Sequence, residues 1–165
     1  GAADVQMARD AEHAGQLAAA RRTALSALAR VSPTTLLEDA TVPRSRLAET
    51  FDEIERLTEK YRLTVGTFGH AGDGNLHPTV LCDERDEDEM QRAHAFYEEL
   101  YDKVLEWGGT VSGEHGIGMA KIGYLKRQIG PGGVAILRRI KQGFDPKGLL
   151  NPGKMFENGT EAKSE

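Results

Sequence analysis

Apolar residues change their spacing several times along the chain, and the changes divide it into elements. An alanine-rich stretch from Val5 to Arg30 has the pattern of a helix that begins with no capping sequence of its own. Thr34 to Val42 is rich in β-branched and aliphatic residues and ends at Pro43, which predicts a strand. From Ser45 to Lys60 the residues Leu47, Phe51, Ile54 and Leu57 recur every three or four positions, the mark of a helix with one buried stripe. Leu63 to Phe68 and His77 to Cys82 read as two more strands joined through a glycine loop in a hairpin-like connection. Ala93, Tyr97, Leu100, Val104 and Trp107 predict a second long helix, stopped by Gly108-Gly109 before a short fourth strand at Thr110 to Ser112. Lys121 to Gly143 reads as helical with a break at Gly130-Pro131-Gly132-Gly133.

The order βαββαβ predicts an α+β fold of the ferredoxin-like kind, an antiparallel sheet with both helices on one face. An N-terminal helix and a C-terminal helical tail are added to it. Residues 1–156 read as one domain, and the polar segment 157–165, ending Glu-Ala-Lys-Ser-Glu, as a disordered tail. A chain of 165 residues can bury roughly 70% of the surface that its unfolded form exposes, so it needs no staples. Because the chain opens with glycine directly inside a helical pattern, it reads as a cut chain.

Charge and cysteine content narrow the chemistry. With 21 basic and 26 acidic residues the net charge is −5, and no stretch interleaves clustered Lys and Arg with aromatics, so nucleic acid is not expected as a partner. Cys82 stands alone, which rules out an internal disulfide, a thiolate zinc site and an iron–sulfur cluster built from this chain. No apolar run is long enough for a transmembrane segment and the N-terminus has no signal-peptide pattern, so a cytoplasmic location is expected, with membrane association only through a partner. Six acids between Asp83 and Glu89 precede a predicted helix, where the helix dipole favours negative charge, and read as a solvated cap.

Two segments depart from this plain background: Gly69-His70-Ala71-Gly72-Asp73-Gly74-Asn75-Leu76-His77 and Ser112-Gly113-Glu114-His115-Gly116-Ile117-Gly118. They and their immediate flanks, residues 66–74 and 108–118, hold nine of the 19 glycines, so the backbone there is suited to close approach by a ligand. His70 and His77, one on each side of a tight loop, can converge on one ion, and Glu114 could add an oxygen as third ligand. Two imidazoles and a carboxylate suit zinc, manganese or iron with a coordination position left open. The plain alternative is a pair of hydrogen-bonded strand histidines, with Asp73-Gly74 making the turn. His115 follows an acid and is flanked by glycines. It is a candidate general base, a candidate fourth ligand, or a cap for the following helix. His13 and His94 sit in helical patterns and read as ordinary surface or core histidines.

These two segments, together with Phe144-Asp145-Pro146-Lys147-Gly148-Leu149-Leu150-Asn151-Pro152-Gly153-Lys154, resemble the C-terminal region of FAD-linked 2-hydroxyacid oxidases and dehydrogenases, the family of glycolate oxidase, D-lactate dehydrogenase and D-2-hydroxyglutarate dehydrogenase. Order and spacing agree from about Ala18 to Lys154. The resemblance implies that His70, His77 and Glu114 hold a divalent metal, that His115 takes the proton from the substrate hydroxyl, that Arg21 pairs with the substrate carboxylate and that Asn151 approaches the flavin. Where such proteins usually have a tryptophan three residues before the arginine, this chain has Ala18.

The resemblance further implies an FAD-binding N-terminal domain of the vanillyl-alcohol oxidase type in the same polypeptide, a small 2-hydroxy acid as substrate and an electron-acceptor subunit as a further partner. Two other classes are compatible with the residues themselves. A metal-dependent hydrolase could use the same groups to activate water, and a ferredoxin-like ligand-binding module needs no catalysis at all.

Overall fold

A computed structural model describes residues 5–156, except for the side chains of residues 20 and 21. Its elements in chain order are α1 (Ala11–Arg22), α2 (Ala24–Leu28), β1 (Thr34–Leu37), β2 (Ala40–Thr41), α3 (Leu47–Tyr61), β3 (Thr64–His70), β4 (Asn75–Cys82), α4 (Glu87–Glu106) and α5 (Ile122–Phe144). The expected N-terminal helix is therefore shorter and divided, since residues 5–10 are not helical and a turn at Thr23 separates α1 from α2. The tail expected at 157–165 lies outside the described residues.

The sheet is antiparallel and centred on β4, which pairs with β3 along one edge and with β1 and β2 along the other. The strand expected over Thr34 to Val42 is interrupted at Glu38-Asp39, and Pro78 explains why. Leu37 pairs with Thr79 and Ala40 with Leu76, so the two segments share one register and Glu38 lies level with Pro78. Proline has no N–H to give the ladder. Only the bond from the Glu38 N–H to the Pro78 carbonyl, 3.3 Å, survives there, while the Tyr97 hydroxyl donates to the carbonyls of Leu36 and Pro78.

The fourth strand is reduced to one bridge, Thr41 to Thr110. Beyond Val111 the backbone N–H groups turn to a buried carboxylate instead of continuing a ladder.

Alternation along β4 separates two faces. Leu76, Val80 and Cys82 face α3 and α4 and share a core with Ile54, Leu57, Phe96, Leu100 and Val104. Phe51, placed on the buried stripe by spacing, is 45% exposed. At 100° per residue it lies roughly 95° from the centre of the Thr50, Ile54 and Leu57 stripe, and Thr50 is buried instead, its hydroxyl donating to the Arg46 carbonyl. Helix α4 starts as the acidic run predicts, with Asp86 capping the Glu89 N–H at 3.1 Å. Helix α5 breaks at Gly130, whose φ of 66° and ψ of 177° are non-helical, and resumes from Pro131. The other face of β4 displays Asn75, His77 and Thr79, all buried, and Leu28 of α2 fills the space above Gly66 on that side.

Candidate functional site

Register places the site. His77 lies level with Phe68 on β3, and Asn75 with His70, so paired residues project from the face opposite α3 and α4. By the same count Asp39 is level with His77, and Thr41 pairs with Asn75. Two rows result: Asp39, His77 and Phe68, then Thr41, Asn75 and His70. The hairpin connecting the two histidines can close only with glycine at Gly74, which has φ of 74° and whose Cβ would lie 2.1 Å from the Val42 carbonyl oxygen.

Residues 112–118 fold over this face. A Cβ on Gly113 would meet Thr41 Oγ1 at 2.5 Å and the Asn75 amide at 2.6 Å, so the loop lies directly on the second row. This brings Glu114 Oε1 to 3.0 Å from His77 Nε2 and 3.3 Å from His70 Nε2. The His115 ring stacks on His77 with centroids 4.9 Å apart, and its Nε2 is 4.0 Å from the same oxygen. A cleft of about 430 Å³ opens in front, lined by Thr41, His70, Asp73, Asn75, Gly113 and Glu114.

Behind the rings sits Asp39, fully buried. Its Oδ2 accepts the backbone N–H groups of Gly113 and His115 at 3.1 and 3.0 Å, and Lys121 Nζ is 3.5 Å away. Its Oδ1 is 3.2 Å from His77 Nδ1 and 3.0 Å from His115 Nδ1. Lys121 is itself buried, 2.8 Å from Glu38 Oε2 but off the hydrogen-bonding direction, so the contact acts as an ion pair.

Burial works on the titratable groups in opposite directions. Desolvation holds the His77 imidazole below its ordinary range and the His115 charge adds to this, outweighing the pull of Asp39 and Glu114. For Asp39 burial pushes upward, yet the His115 N–H, the Lys121 ammonium and the His115 ring together hold the carboxyl below its usual value. Asp39 is therefore a carboxylate and His77 a neutral imidazole at neutral pH, the forms in which each can act as an electron-pair donor.

His70, His77 and Glu114 fit a divalent ion. Each offers one ligand atom, and the three atoms lie within 4.8 Å of one another. A tetrahedron with vertices ~2.0–2.1 Å from its centre has edges of about 3.3–3.4 Å, close to the 3.0 and 3.3 Å observed. The three predicted ligands and His115 are thus brought together. His115 does not cap a helix, because α5 begins only after Lys121.

Asn151 lies elsewhere, with φ of 47°, in a second cleft of about 410 Å³ that includes Ile117, Gly118, Lys141 and Phe144. The loop 112–118 joins the two clefts through the bond from the Met155 N–H to the Gly118 carbonyl. Arg21 falls within α1, and its side chain lies outside the described residues. Sequence reasoning missed Asp39 and Lys121. The available signal was the pair Glu38-Asp39 inside an otherwise apolar strand pattern, since buried acids require partners.

Comparison with known proteins shows the family. The family model described as FAD linked oxidases, C-terminal domain, matches residues 1–155. The glycolate oxidase subunit GlcD of Bacillus subtilis (strain 168) is 50% identical over 155 residues, 94% of this chain and 33% of that protein. GlcD of Escherichia coli (strain K12) is 40% identical over 154 residues, covering 93% and 31%, and a probable mitochondrial D-lactate dehydrogenase of Danio rerio is 36% identical over 159 residues, covering 95% and 32%. The chain spans about a third of the length of these relatives. It belongs to the family of C-terminal domains of FAD linked oxidases.

Proposed function

We propose that this chain is the substrate- and metal-binding domain of an FAD-dependent oxidoreductase that oxidises a small 2-hydroxy acid, glycolate or D-lactate, to the 2-oxo acid. The observation that carries the reading is the convergence of His70 Nε2, His77 Nε2 and Glu114 Oε1 at the mouth of a polar cleft, with the His115 ring beside them. The names of the relatives, glycolate oxidase subunit and D-lactate dehydrogenase, supply the substrate class. FAD is assigned mainly to another domain of the same polypeptide, and an acceptor subunit to the removal of electrons.

His70, His77 and Glu114 would hold zinc, manganese or iron. When bound, the ion supplies Lewis-acid polarisation of the hydroxyl and the flavin a two-electron acceptor. Oxidation removes a proton from the hydroxyl and a hydride from C2, and this chain handles the proton. His115 accepts it at Nε2, while Asp39 faces Nδ1 of the same ring and stabilises the charge that develops. Thr41, Asn75 and Gly113 line the cleft and exclude bulk on that side, favouring a small substrate. Arg21 is assigned to the substrate carboxylate and Asn151 to the flavin edge.

Anaerobic rapid mixing of the flavoenzyme that includes this chain with glycolate or D-lactate tests the proposal. Flavin bleaching with one of them is expected, together with a loss of roughly 100- to 10,000-fold in bleaching rate for His115→Ala at unchanged metal content. No bleaching with either acid, or an unimpaired His115→Ala enzyme, would rule the reading out.

A further inference from the structure

We propose that Asp39 is the positioning residue of the site, a single buried carboxylate that aims two imidazoles, His77 and His115, at the same point in the cleft. The inference rests on the proposed function for what the rings do, but its geometry stands alone. Nδ1 of His77 and Nδ1 of His115 lie 3.2 and 3.0 Å from one oxygen, Asp39 Oδ1, in both cases off the hydrogen-bonding direction. An imidazole whose Nδ1 faces a carboxylate carries its proton there, which leaves the lone pair on Nε2. Both Nε2 atoms lie near Glu114, 3.0 and 4.0 Å from its Oε1, and Glu114 competes for the His77 proton. Its side chain is half exposed and can turn to water, whereas Asp39 is fully buried and fixed, so Asp39 sets the tautomer. The rings stack with 25° between their planes, both Nδ1 atoms beside that one oxygen.

The other oxygen fixes the second half of the arrangement. Asp39 Oδ2 accepts N–H groups from Gly113 and His115, so the carboxylate that orients the rings also holds the loop presenting Glu114 and His115. Buried Lys121 and half-buried Glu38 form an ion pair beside it, with the Tyr101 hydroxyl donating to Glu38 at 2.9 Å. Asp39 Oδ1 and His77 Nδ1 have hydrogen-bond separation but an off-line approach, and neither is satisfied by another group. Leaving two buried polar partners unaligned is costly, so their mutual alignment is the favoured adjustment. Asp39 touches no substrate in this account. It acts through His77 as a ligand and through His115 as the base.

The test uses the 165-residue chain, with imidazole tautomers read from long-range proton–nitrogen NMR correlations in chelator and ion affinity from calorimetry with zinc chloride. The unsubstituted chain is expected to have Nδ1 protonated and Nε2 unprotonated in both His77 and His115. Asp39→Asn keeps a carbonyl for the loop N–H groups but turns an amide N–H toward the rings. Both tautomers should then invert, and zinc affinity should fall about 10- to 100-fold, the usual effect of losing a partner to a metal-binding histidine. A purely structural role would lower stability and leave the tautomers as they were, and that result overturns the proposal. So does an Nε2–H tautomer at either ring of the unsubstituted chain, a measurement that decides the matter even if the variant fails to fold. Absence of zinc binding by the unsubstituted chain would count against the metal assignment, while the tautomers would still decide the role of Asp39.

Discussion

Adding one methyl group to Gly113 tests how closely the loop 112–118 must sit on the sheet. A Cβ there would lie 2.5 Å from Thr41 Oγ1 and 2.6 Å from both Cγ and Nδ2 of Asn75. Those two side chains are bound to each other, the Thr41 hydroxyl donating to Asn75 Oδ1 at 2.7 Å, so neither can swing away without losing that bond. Ordinary contact needs about 3.5–4.0 Å, and the loop must therefore rise by roughly 1 Å. Overpacking of this kind costs about 1–3 kcal/mol, and for a chain of this size each 1 kcal/mol lowers Tm by roughly 2–4 °C.

The functional effect follows from the residues next in line. Glu114 and His115 would move with the loop, and a 1 Å misplacement of a catalytic group can cost on the order of 100-fold. Gly113→Ala is accordingly expected to lower Tm by roughly 2–12 °C and to weaken divalent-ion binding about 10- to 100-fold, measured by thermal denaturation in chelator and by calorimetry. Gly72→Ala is the control, since no atom lies within 4 Å of its Cβ although it belongs to the other glycine-rich segment. A Gly113→Ala chain indistinguishable from Gly72→Ala in both measurements would refute the reasoning.

In the core, Leu100→Ala removes a fully buried side chain and is expected to destabilise the fold by about 2–5 kcal/mol in urea titrations, leaving the ligand geometry intact. Stability in chelator should fall with acid in two stages. The His77 imidazole is held below its ordinary value of 6.5, so below that pH the unfolded chain takes up the proton first and unfolding is favoured. The Asp39 carboxyl is held below 3.8, and its contribution, complete above that pH, is lost as pH falls through the folded value. A denaturant midpoint independent of pH between 7 and 4 would contradict the His77 assignment. Gly143→Ala, with open space around it inside α5, should be neutral or add up to about 1 kcal/mol in the same assay.

Elements with strong periodicity were legible in the sequence. The strand from His77 to Cys82 within β4, the stripe of α4 with Leu100 and Val104, the acidic cap before α4 and the break at Gly130 all follow from local rules. The interruption between β1 and β2 was not legible, because it depends on which residue of β4 faces Glu38. Pro78 can be named only once the register is known. Phe51 was misplaced for a related reason: Thr50 satisfies its hydroxyl on the Arg46 carbonyl and so can occupy a position that polarity alone assigns to solvent.

The same division holds in the site. His70, His77, Glu114 and His115 announced themselves as polar groups among glycines, whereas Asp39 and Lys121 come from ordinary surroundings 70 or more residues away from one or more of their partners in the sequence. Their significance lies in burial, which only packing creates. Arg21 and Asn151 rest on motif resemblance, and the cleft around Asn151 is distinct from that around His70.

The most direct test of the central claim is a calorimetric titration of the chain with zinc or manganese, repeated on His70→Ala, on His77→Ala and on both together. About one ion per chain is expected, bound more weakly after each single substitution and not at all after both, with the fold retained by circular dichroism. Stoichiometric binding that survives the double substitution would contradict it.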